Sequence, residues 1–262
     1  MADKFLDGVP AGLRILVTAG AAGIGRAIAD AFLAHGARVH VCDIDRDALA
    51  DFTESAANAS GSLADVSNRG QVDQLFAEIE GQFGGLDVLV NNAGIAGPTA
   101  RVEDIDPPDW DATVGVNLSG PYHVARRAVP MLRTTGDACM INIASVAGRL
   151  GYAYRLPYAA TKWGVVGITE SLAKELGPDG VRVNAILPGI VEGPRIDRVI
   201  ADRAKATGVS FDEMKQQYRD KASLRRMVTA EDVAGMALFL ASPHGRNISG
   251  QPISVCGNVE AL

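Results

Sequence analysis

The chain has 262 residues, of which 47% are hydrophobic, and a formal net charge of −6 at pH 7. This composition favours a packed core and excludes bulk disorder, and the acidic balance argues against nucleic-acid binding, which needs a basic excess. Because no apolar run reaches the ~18–20 residues of a membrane span, and no leader-like pattern or metal-ligand spacing of Cys and His is visible, we expect a cytoplasmic protein without membrane or metal partners.

Short apolar runs alternate with longer helix-prone segments along the chain. The predicted strands are 13–18, 38–43, 62–65, 86–91, 138–144, 181–187 and 252–256. Most are almost continuously hydrophobic, which is typical of parallel strands that are buried on both faces. The predicted helices are about 24–35, 46–57, 68–83, 109–133, 157–177 and 230–241. This alternation predicts one α/β domain over 1–262, with a Rossmann-type doubly wound parallel sheet of about seven strands and helices on both faces.

The first strand–helix turn, residues 18–25, has the sequence TAGAAGIG. Glycines before a helix let a phosphate approach the backbone N–H groups of its first turn. The spacing departs from the usual G-x-G-x-x-G fingerprint, because Ala19 directly follows Thr18. We expect Ala19 to adopt a negative φ and Gly20 to take any strained angle.

Asp43 ends the second predicted strand, 18 residues after Gly25. A carboxylate at this place can accept hydrogen bonds from the adenosine ribose hydroxyls and repel a 2′-phosphate. It therefore favours NAD over NADP, while Arg46 is near enough along the chain to keep NADP as the alternative.

Asparagines follow the fourth strand and interrupt the next helix. The NNAG run, 91–94, lies where a parallel strand ends, and Asn117 falls inside an otherwise helical pattern. Such amides either line a ligand or tie loops together, and for Asn117 a hydrogen-bonded core amide stays an open alternative.

Ser145, Tyr158 and Lys162 form the strongest signal. Tyr158 and Lys162 are four residues apart and share one face of a predicted helix. An ammonium beside a phenol lowers the pKa of the phenol from about 10, so that it can exchange protons near neutral pH. Ser145 ends the fifth strand, at the edge of the sheet where the phosphate turn also lies.

Together these features resemble the classical short-chain dehydrogenase/reductase family, from about Leu13 to Gly257. The matching motifs are TAGAAGIG, Asp65, NNAG, Asn117, Ser145, Tyr158 with Lys162, and Pro188–Gly189. The resemblance implies a seven-stranded parallel sheet, a homotetramer, and interconversion of alcohols and carbonyl compounds with NAD(H) or NADP(H). Three positions depart from the family pattern: Ala19 replaces a glycine, Gly193 replaces a threonine, and residues 255–258 read VCGN where VDGG is usual.

The resemblance also implies residue roles. Tyr158 would be the acid/base, Lys162 would hold the nicotinamide ribose, and Ser145 would orient the substrate oxygen. Asn117 would hold a water that links Lys162 to solvent. The implied cofactor contacts are Ala19, Ala22, Gly23, Ile24, Gly25, Asp43, Ile44, Asp65, Val66, Asn91, Ala93, Gly94, Tyr158, Lys162, Pro188, Gly189, Ile190 and Gly193.

The substrate contacts are expected from two less regular segments. Residues about 190–226 are polar and helix-prone, and from Glu192 to Arg226 they hold nine Lys/Arg against six Asp/Glu. They are either a solvated helical pair or a lid that favours an anionic substrate. The candidate substrate residues are Arg149, Tyr152, Arg155 and Arg195. The arginines either anchor an anion by bidentate bonds or serve only the structure.

We therefore predict an NAD-dependent oxidoreductase of a secondary alcohol, with a polyol, a hydroxy acid or a 3-hydroxyacyl compound as substrate. One alternative is an NADPH-dependent ketone or 3-oxoacyl reductase on the same scaffold. Others are an epimerase or dehydratase with tightly held NAD, and a non-catalytic NAD-binding regulator.

Overall fold

The computed structural model describes residues 8–259, so the predicted domain limits, 1 and 262, lie outside the described residues. Seven parallel strands form one sheet in the order β3-β2-β1-β4-β5-β6-β7. They are β1 (Arg14–Thr18), β2 (Arg38–Asp43), β3 (Ala59–Leu63), β4 (Val88–Asn91), β5 (Ala138–Ile143), β6 (Val181–Pro188) and β7 (Pro252–Val255). The strand order reverses between β1 and β4, which is where doubly wound sheets bind ligands.

Helices cover both faces of the sheet. They are α1 (Gly23–Ala34), α2 (Arg46–Glu54), α3 (Arg69–Phe83), α4 (Pro107–Val114), α5 (Gly120–Arg133), α6 (Leu156–Leu176), α7 (Pro194–Thr207), α8 (Phe211–Asp220) and α9 (Ala230–Ala241). Alternate strand residues point to opposite faces, so Ile15 and Val17 pack in one core with α1 and α9. Leu16 packs in the second core, with α3 and α5. The predicted fold class is confirmed.

The predicted helix over 109–133 is wrong as a single element. The structure places a π-helical turn, Gly115–Ser119, between α4 and α5. In an α-helix the carbonyl of Asn117 would accept a hydrogen bond from residue 121, and Pro121 has no N–H to donate. The predicted position of the third strand, 62–65, is also wrong, because the strand runs over Ala59–Leu63. Its residues are mostly small and polar, so a hydrophobicity pattern does not reveal it.

The segment after β6 builds a small core of its own. Ile200 of α7 and Met214 and Tyr218 of α8 pack with Val146, which follows β5. This core fixes the two helices beside the carboxyl ends of the strands. Within residues 8–259, no helix is long and apolar enough to cross a membrane, and no group of three His, Cys, Asp or Glu side chains could hold a metal ion.

Candidate active site

A cavity of about 420 Å³ opens at the carboxyl ends of the strands. Most of the predicted site residues line it: Ala19, Ala22, Gly23, Ile24, Asp43, Gly94, Ser145, Tyr152, Arg155, Tyr158, Lys162, Pro188, Gly189, Ile190, Gly193 and Arg195. Eight predicted residues are not in its wall: Gly25, Ile44, Asp65, Val66, Asn91, Ala93, Asn117 and Arg149. Tyr218 of α8 lines it and was missed, because nothing near Tyr218 in the sequence marks it as a site residue.

The first turn of α1 is built to receive an anion. Ala22 is the N-cap, no side chain caps the helix, and its first turn holds no acidic residue. Gly23 has a φ of 56°. A Cβ on Gly25 would collide with the carbonyl oxygen of Ala19 and lie 2.5 Å from Asn92 Nδ2. Free N–H groups and a backbone open to close approach suit a phosphate.

The expected conformation of Ala19 is wrong. Ala19 has a φ of 48°, in the left-handed region, whereas Gly20 has no positive φ. The Asn92 side chain donates to the carbonyls of Thr18 and Ala19, both at 3.0 Å, and these bonds hold the turn. Gly20 is needed because there is no room for a side chain: a Cβ there would lie 2.6 Å from Cγ1 of Val41.

Asp43 lies at the cavity beside this turn. Its carboxylate accepts hydrogen bonds from the backbone N–H groups of Ala21 at 3.1 Å and Ile44 at 2.8 Å. The bonds fix the carboxylate next to the anion-binding turn. Further from the cavity, Asp65 accepts from the backbone N–H of Ser67 at 2.8 Å, and the Ile44 side chain is 73% exposed.

Hydrogen bonds hold two predicted residues of the NNAG run, Asn91 and Ala93, at the end of β4. Asn91 is buried and donates to Asn142 Oδ1 at 2.9 Å, while its own Oδ1 has no partner among the described residues. The backbone N–H of Ala93 donates to Thr18 Oγ1 at 2.9 Å. The first bond ties β4 to β5 and the second ties the end of β4 to the end of β1.

Tyr158 and Lys162 stand one turn apart on α6, as predicted. Lys162 is 4% exposed, and its Nζ donates to the carbonyl of Ile143 at 2.8 Å. Nζ lies 5.7 Å from the centre of the Tyr158 ring. Ser145 follows β5 and is held by the backbone N–H of Ala147, which donates to its Oγ at 3.1 Å.

The electrostatic environment lowers the pKa of Tyr158. Burial raises this pKa, but the charges of Lys162 and Arg195, a hydrogen bond with Ser145 and the charge of Arg155 together outweigh burial. Burial also lowers the pKa of Lys162; Tyr158 opposes that shift and Arg195 adds to it. The phenol can therefore lose its proton below its ordinary pKa of about 10.

Asn117 is buried in the π-helical turn and acts as a clamp. Its Oδ1 accepts from the backbone N–H of Ile95 at 2.7 Å, and its Nδ2 donates to the carbonyl of Ile95 at 3.0 Å. A Cβ on Gly94 would lie 3.3 Å from Asn117 Oδ1 and 3.4 Å from Lys162 Nζ. The side chain thus fixes the loop after β4 against the base of α6.

Two of the three candidate arginines reach the cavity and one does not. Arg155 donates to the carbonyl of Ala96 at 2.7 Å, and Arg195 reaches the carbonyl of Gly94 at 3.3 Å. The structure places Arg149 elsewhere: its guanidinium donates to Ser254 Oγ at 3.2 Å and to the carbonyl of Pro252 at 2.8 Å. These bonds hold it against β7.

Comparison with known proteins decides the family. A family model described as Enoyl-(Acyl carrier protein) reductase matches residues 19–258. A short chain dehydrogenase/reductase of Colletotrichum higginsianum (strain IMI 349063) is 37% identical over 254 residues, covering 94% of this chain and 92% of that protein. The chain belongs to the short-chain dehydrogenase/reductase family.

Two more similarities describe the range of that family. A D-beta-hydroxybutyrate dehydrogenase of Rhizobium meliloti (strain 1021) is 32% identical over 249 residues, covering 92% of this chain and 96% of that one. A crystal structure of an actinorhodin polyketide ketoreductase with NADPH has a TM-score of 0.89 and 32% identity, covering 94% of this chain and 96% of that one. The protein is thus a family oxidoreductase of CH–OH groups that uses NAD or NADP.

The cavity of this chain fits a dinucleotide cofactor. The uncapped first turn of α1 offers N–H groups for a pyrophosphate. The Asp43 carboxylate lies at the end of β2 beside that turn. In such sheets a carboxylate at this position accepts hydrogen bonds from the ribose of a dinucleotide.

Proposed function

We propose that the protein is an NAD-dependent dehydrogenase of a secondary alcohol that carries an anionic group. The observation that carries the proposal is the Tyr158 phenol, which lines the cavity with its pKa lowered by Lys162, Arg195 and Ser145 against the effect of burial. A phenol in this environment is suited to general acid–base catalysis.

Different groups of the chain would bind the cofactor and transfer the proton. When bound, NAD supplies the acceptor for the hydride that leaves the alcohol carbon. The first turn of α1 would hold its pyrophosphate and Asp43 its adenosine ribose, while Lys162 Nζ would hold the second ribose. The loop Pro188–Gly189–Ile190, which lines the same cavity, would lie against the nicotinamide.

In oxidation, Tyr158 Oη would take the proton of the substrate hydroxyl. The Lys162 ammonium would stabilise the phenolate form of Tyr158, which accepts this proton and becomes a neutral phenol, and the Ser145 hydroxyl would hold the substrate oxygen. Pro121 has no N–H and cannot donate an α-helical hydrogen bond to the carbonyl of Asn117. This carbonyl would therefore accept a hydrogen bond from a water that carries the proton onward from Lys162.

An anionic substrate is inferred from Arg155. This side chain is 4% exposed and lines the cavity, and its buried Nε has no hydrogen-bond partner within residues 8–259. No carboxylate of the described chain forms an ion pair with it. A buried cation without a counter-charge is expensive, and a carboxylate on the substrate would supply one. The similar D-beta-hydroxybutyrate dehydrogenase is named for such a substrate.

The helices α7 and α8 would form a lid over this cavity. Arg195 and Val199 of α7 and Tyr218 of α8 line it. Gly193 and Gly208, which flank α7, have φ angles of 138° and 75°, so backbone freedom is concentrated at both ends of the helix.

The outer faces of α5 and α6 would form subunit contacts. Each carries an exposed aromatic side chain, Tyr122 on α5 and Trp163 on α6, and these side chains suit the faces of a homotetramer.

A second candidate is an NADPH-dependent ketone or 3-oxoacyl reductase. The NADPH named with the similar ketoreductase structure favours it. Asp43 opposes it, because a carboxylate held beside the ribose position repels a 2′-phosphate.

One assay tests these alternatives. Purified protein is mixed with NAD or NADP and with 3-hydroxy acids, polyols or neutral secondary alcohols, and the absorbance of the reduced nicotinamide is followed. We expect NAD and the hydroxy acids to give the higher kcat/KM. Arg155→Met should raise KM for the acids about 10-fold or more, as expected for a lost bond to a charged group, and raise KM for neutral alcohols much less. Equal rates with neutral alcohols would contradict the anionic substrate, and a preference for NADP would contradict the role of Asp43.

A further inference from the structure

A cluster of two tyrosines and two cations lies where the lid helices meet the rest of the cavity. Tyr152, from the segment before α6, and Tyr218, from α8, both line the cavity. Their hydroxyl oxygens are 3.4 Å apart. Arg203 of α7 reaches the Tyr218 hydroxyl at 3.5 Å, and Lys221 lies with its Nζ 4.8 Å from the centre of the Tyr218 ring.

The hydrogen bonds of this cluster are long and leave a donor unused. Arg203 has only donors, and each phenol has one proton to donate. If Arg203 donates to Tyr218 and one phenol donates to the other, one phenolic proton remains without an acceptor inside the cluster. Both contacts exceed the 2.7–3.2 Å of a good hydrogen bond. A ligand acceptor placed between the hydroxyls would therefore find donors that are free to shorten onto it.

The positive charges of this cluster also lack a carboxylate ion-pair partner among the described residues. Within the part of the chain that the structure describes, neither Arg203 nor Lys221 forms an ion pair with a carboxylate. Burial and the nearby charge of Arg203 lower the pKa of Lys221 to about 8. Burial raises the pKa of Tyr152, which keeps its phenol a donor. Two uncompensated cations beside two hydroxyl donors favour an oxyanion.

The cluster stands apart from the reacting end of the cavity. The Arg155 guanidinium carbon lies 5.2 Å from the centre of the Tyr158 ring and 5.4 Å from that of the Tyr152 ring. Arg155 thus contacts both the Tyr158 ring and the Tyr152 ring, whereas Tyr218 is joined to Tyr152, and Arg203 to Tyr218, through the phenolic hydroxyls. A substrate with its hydroxyl at Tyr158 would have to extend past Arg155 to reach this second group of donors.

We propose that Tyr152, Tyr218 and Arg203 form a second oxyanion subsite, and that the preferred substrates are hydroxy acids with an anionic group at each end. The inference rests on the proposed function, since it assumes the alcohol at Tyr158 and one carboxylate at Arg155. Tyr152 and Tyr218, which line the cavity, would contact the far group of the substrate and not the reacting atoms, and Arg203, which is not in the cavity wall, would act through the Tyr218 hydroxyl.

Direct binding tests the subsite without any turnover. Calorimetry compares adipate with hexanoate, and glutarate with valerate, on the full chain with and without saturating NAD. For the wild type we expect each dianion to bind about 10-fold more tightly than its monoanion. Tyr218→Phe and Arg203→Gln should each bring this ratio close to one. Arg198→Gln is the matched control, because it removes the same charge from an exposed position of α7, whereas Arg203 is the residue of that helix that reaches the Tyr218 hydroxyl, and it should leave the ratio unchanged.

Turnover separates a failure of the subsite from a failure of the proposed function. With NAD, 3-hydroxyadipate should have a higher kcat/KM than 3-hydroxyhexanoate, and Tyr218→Phe should remove most of the difference by lowering kcat/KM for the dianion far more than for the monoanion. A purely structural role of Tyr218 would lower both rates together. Wild-type ratios near one, in binding or in turnover, or ratios that the variants leave unchanged, would overturn the subsite. A dianion preference in binding without oxidation of either acid would instead sink only the proposed dehydrogenase function.

Discussion

The two halves of the cavity are built in different ways. The half beside β1, β2 and β4 is made of backbone: the turn at 18–25, the fixed carboxylate of Asp43 and the loop after β4, tied together by bonds such as that of Asn92 to Ala19 at 3.0 Å. The half beneath α7 and α8 is made of long side chains, including Arg195 and Tyr218, and Arg203 reaches the Tyr218 hydroxyl from outside the cavity wall. A backbone site has one shape and suits an invariant ligand, whereas a wall of long side chains can be matched to a particular substrate by changing those side chains.

The residue between the two halves should give the largest effect when it is changed. Tyr158→Phe removes the acid/base and keeps the ring, so we expect kcat to fall about 10²–10⁴-fold. The affinity for NAD, measured by calorimetry, should stay within the range of the wild type because the backbone half is untouched. Retention of activity by this variant would show that another group handles the proton.

Overpacking the backbone half should damage the cofactor site without touching the substrate half. In Gly25→Ala, the new Cβ meets the backbone of Ala19 and the Asn92 side chain, and overpacking of this kind costs about 1–3 kcal/mol of stability. We expect weaker NAD binding and a lower denaturant midpoint.

Gly81→Ala is the control for that substitution. Gly81 lies within α3, and a Cβ there would meet no atom within 4 Å, so the variant should keep or raise the midpoint. If Gly25→Ala bound NAD as tightly as Gly81→Ala does, the close packing of the turn would not matter to the cofactor.

The smallest predicted effect is a gain. Ala19 has a φ of 48°, and Ala19→Gly would relieve a left-handed strain that exceeds the added chain entropy, so the free energy of unfolding should rise by about 1 kcal/mol. Ala21→Gly is the matched control: this buried alanine has no positive φ, and the change should lower stability. A loss of stability in Ala19→Gly, seen in its urea midpoint, would mean that the Ala19 methyl contributes packing that outweighs its strain.

The same contrast explains what the sequence could predict. The strands other than β3, the glycine turn and the positions of Asp43 and the Tyr158–Lys162 pair depend on local patterns, and the sequence placed them where the structure has them. The φ of Ala19 was wrong because it is set by Asn92, more than seventy residues away. Arg149 lies outside the cavity wall and Tyr218 lies in it for a similar reason: which side chains face a cavity depends on how the surrounding helices pack, and the local sequence does not carry that information.

The pH dependence of oxidation tests the central claim most directly. If Tyr158 must be unprotonated to accept the substrate proton, kcat/KM should rise with pH through the Tyr158 pKa and level off, with a midpoint below the ordinary value of about 10. Because Lys162 gives the largest of the effects that lower this pKa, ahead of Arg195, Lys162→Met should move the midpoint upward and Arg195→Met should move it less. A profile that does not change with pH, or a midpoint that stays in place in Lys162→Met, would contradict the account.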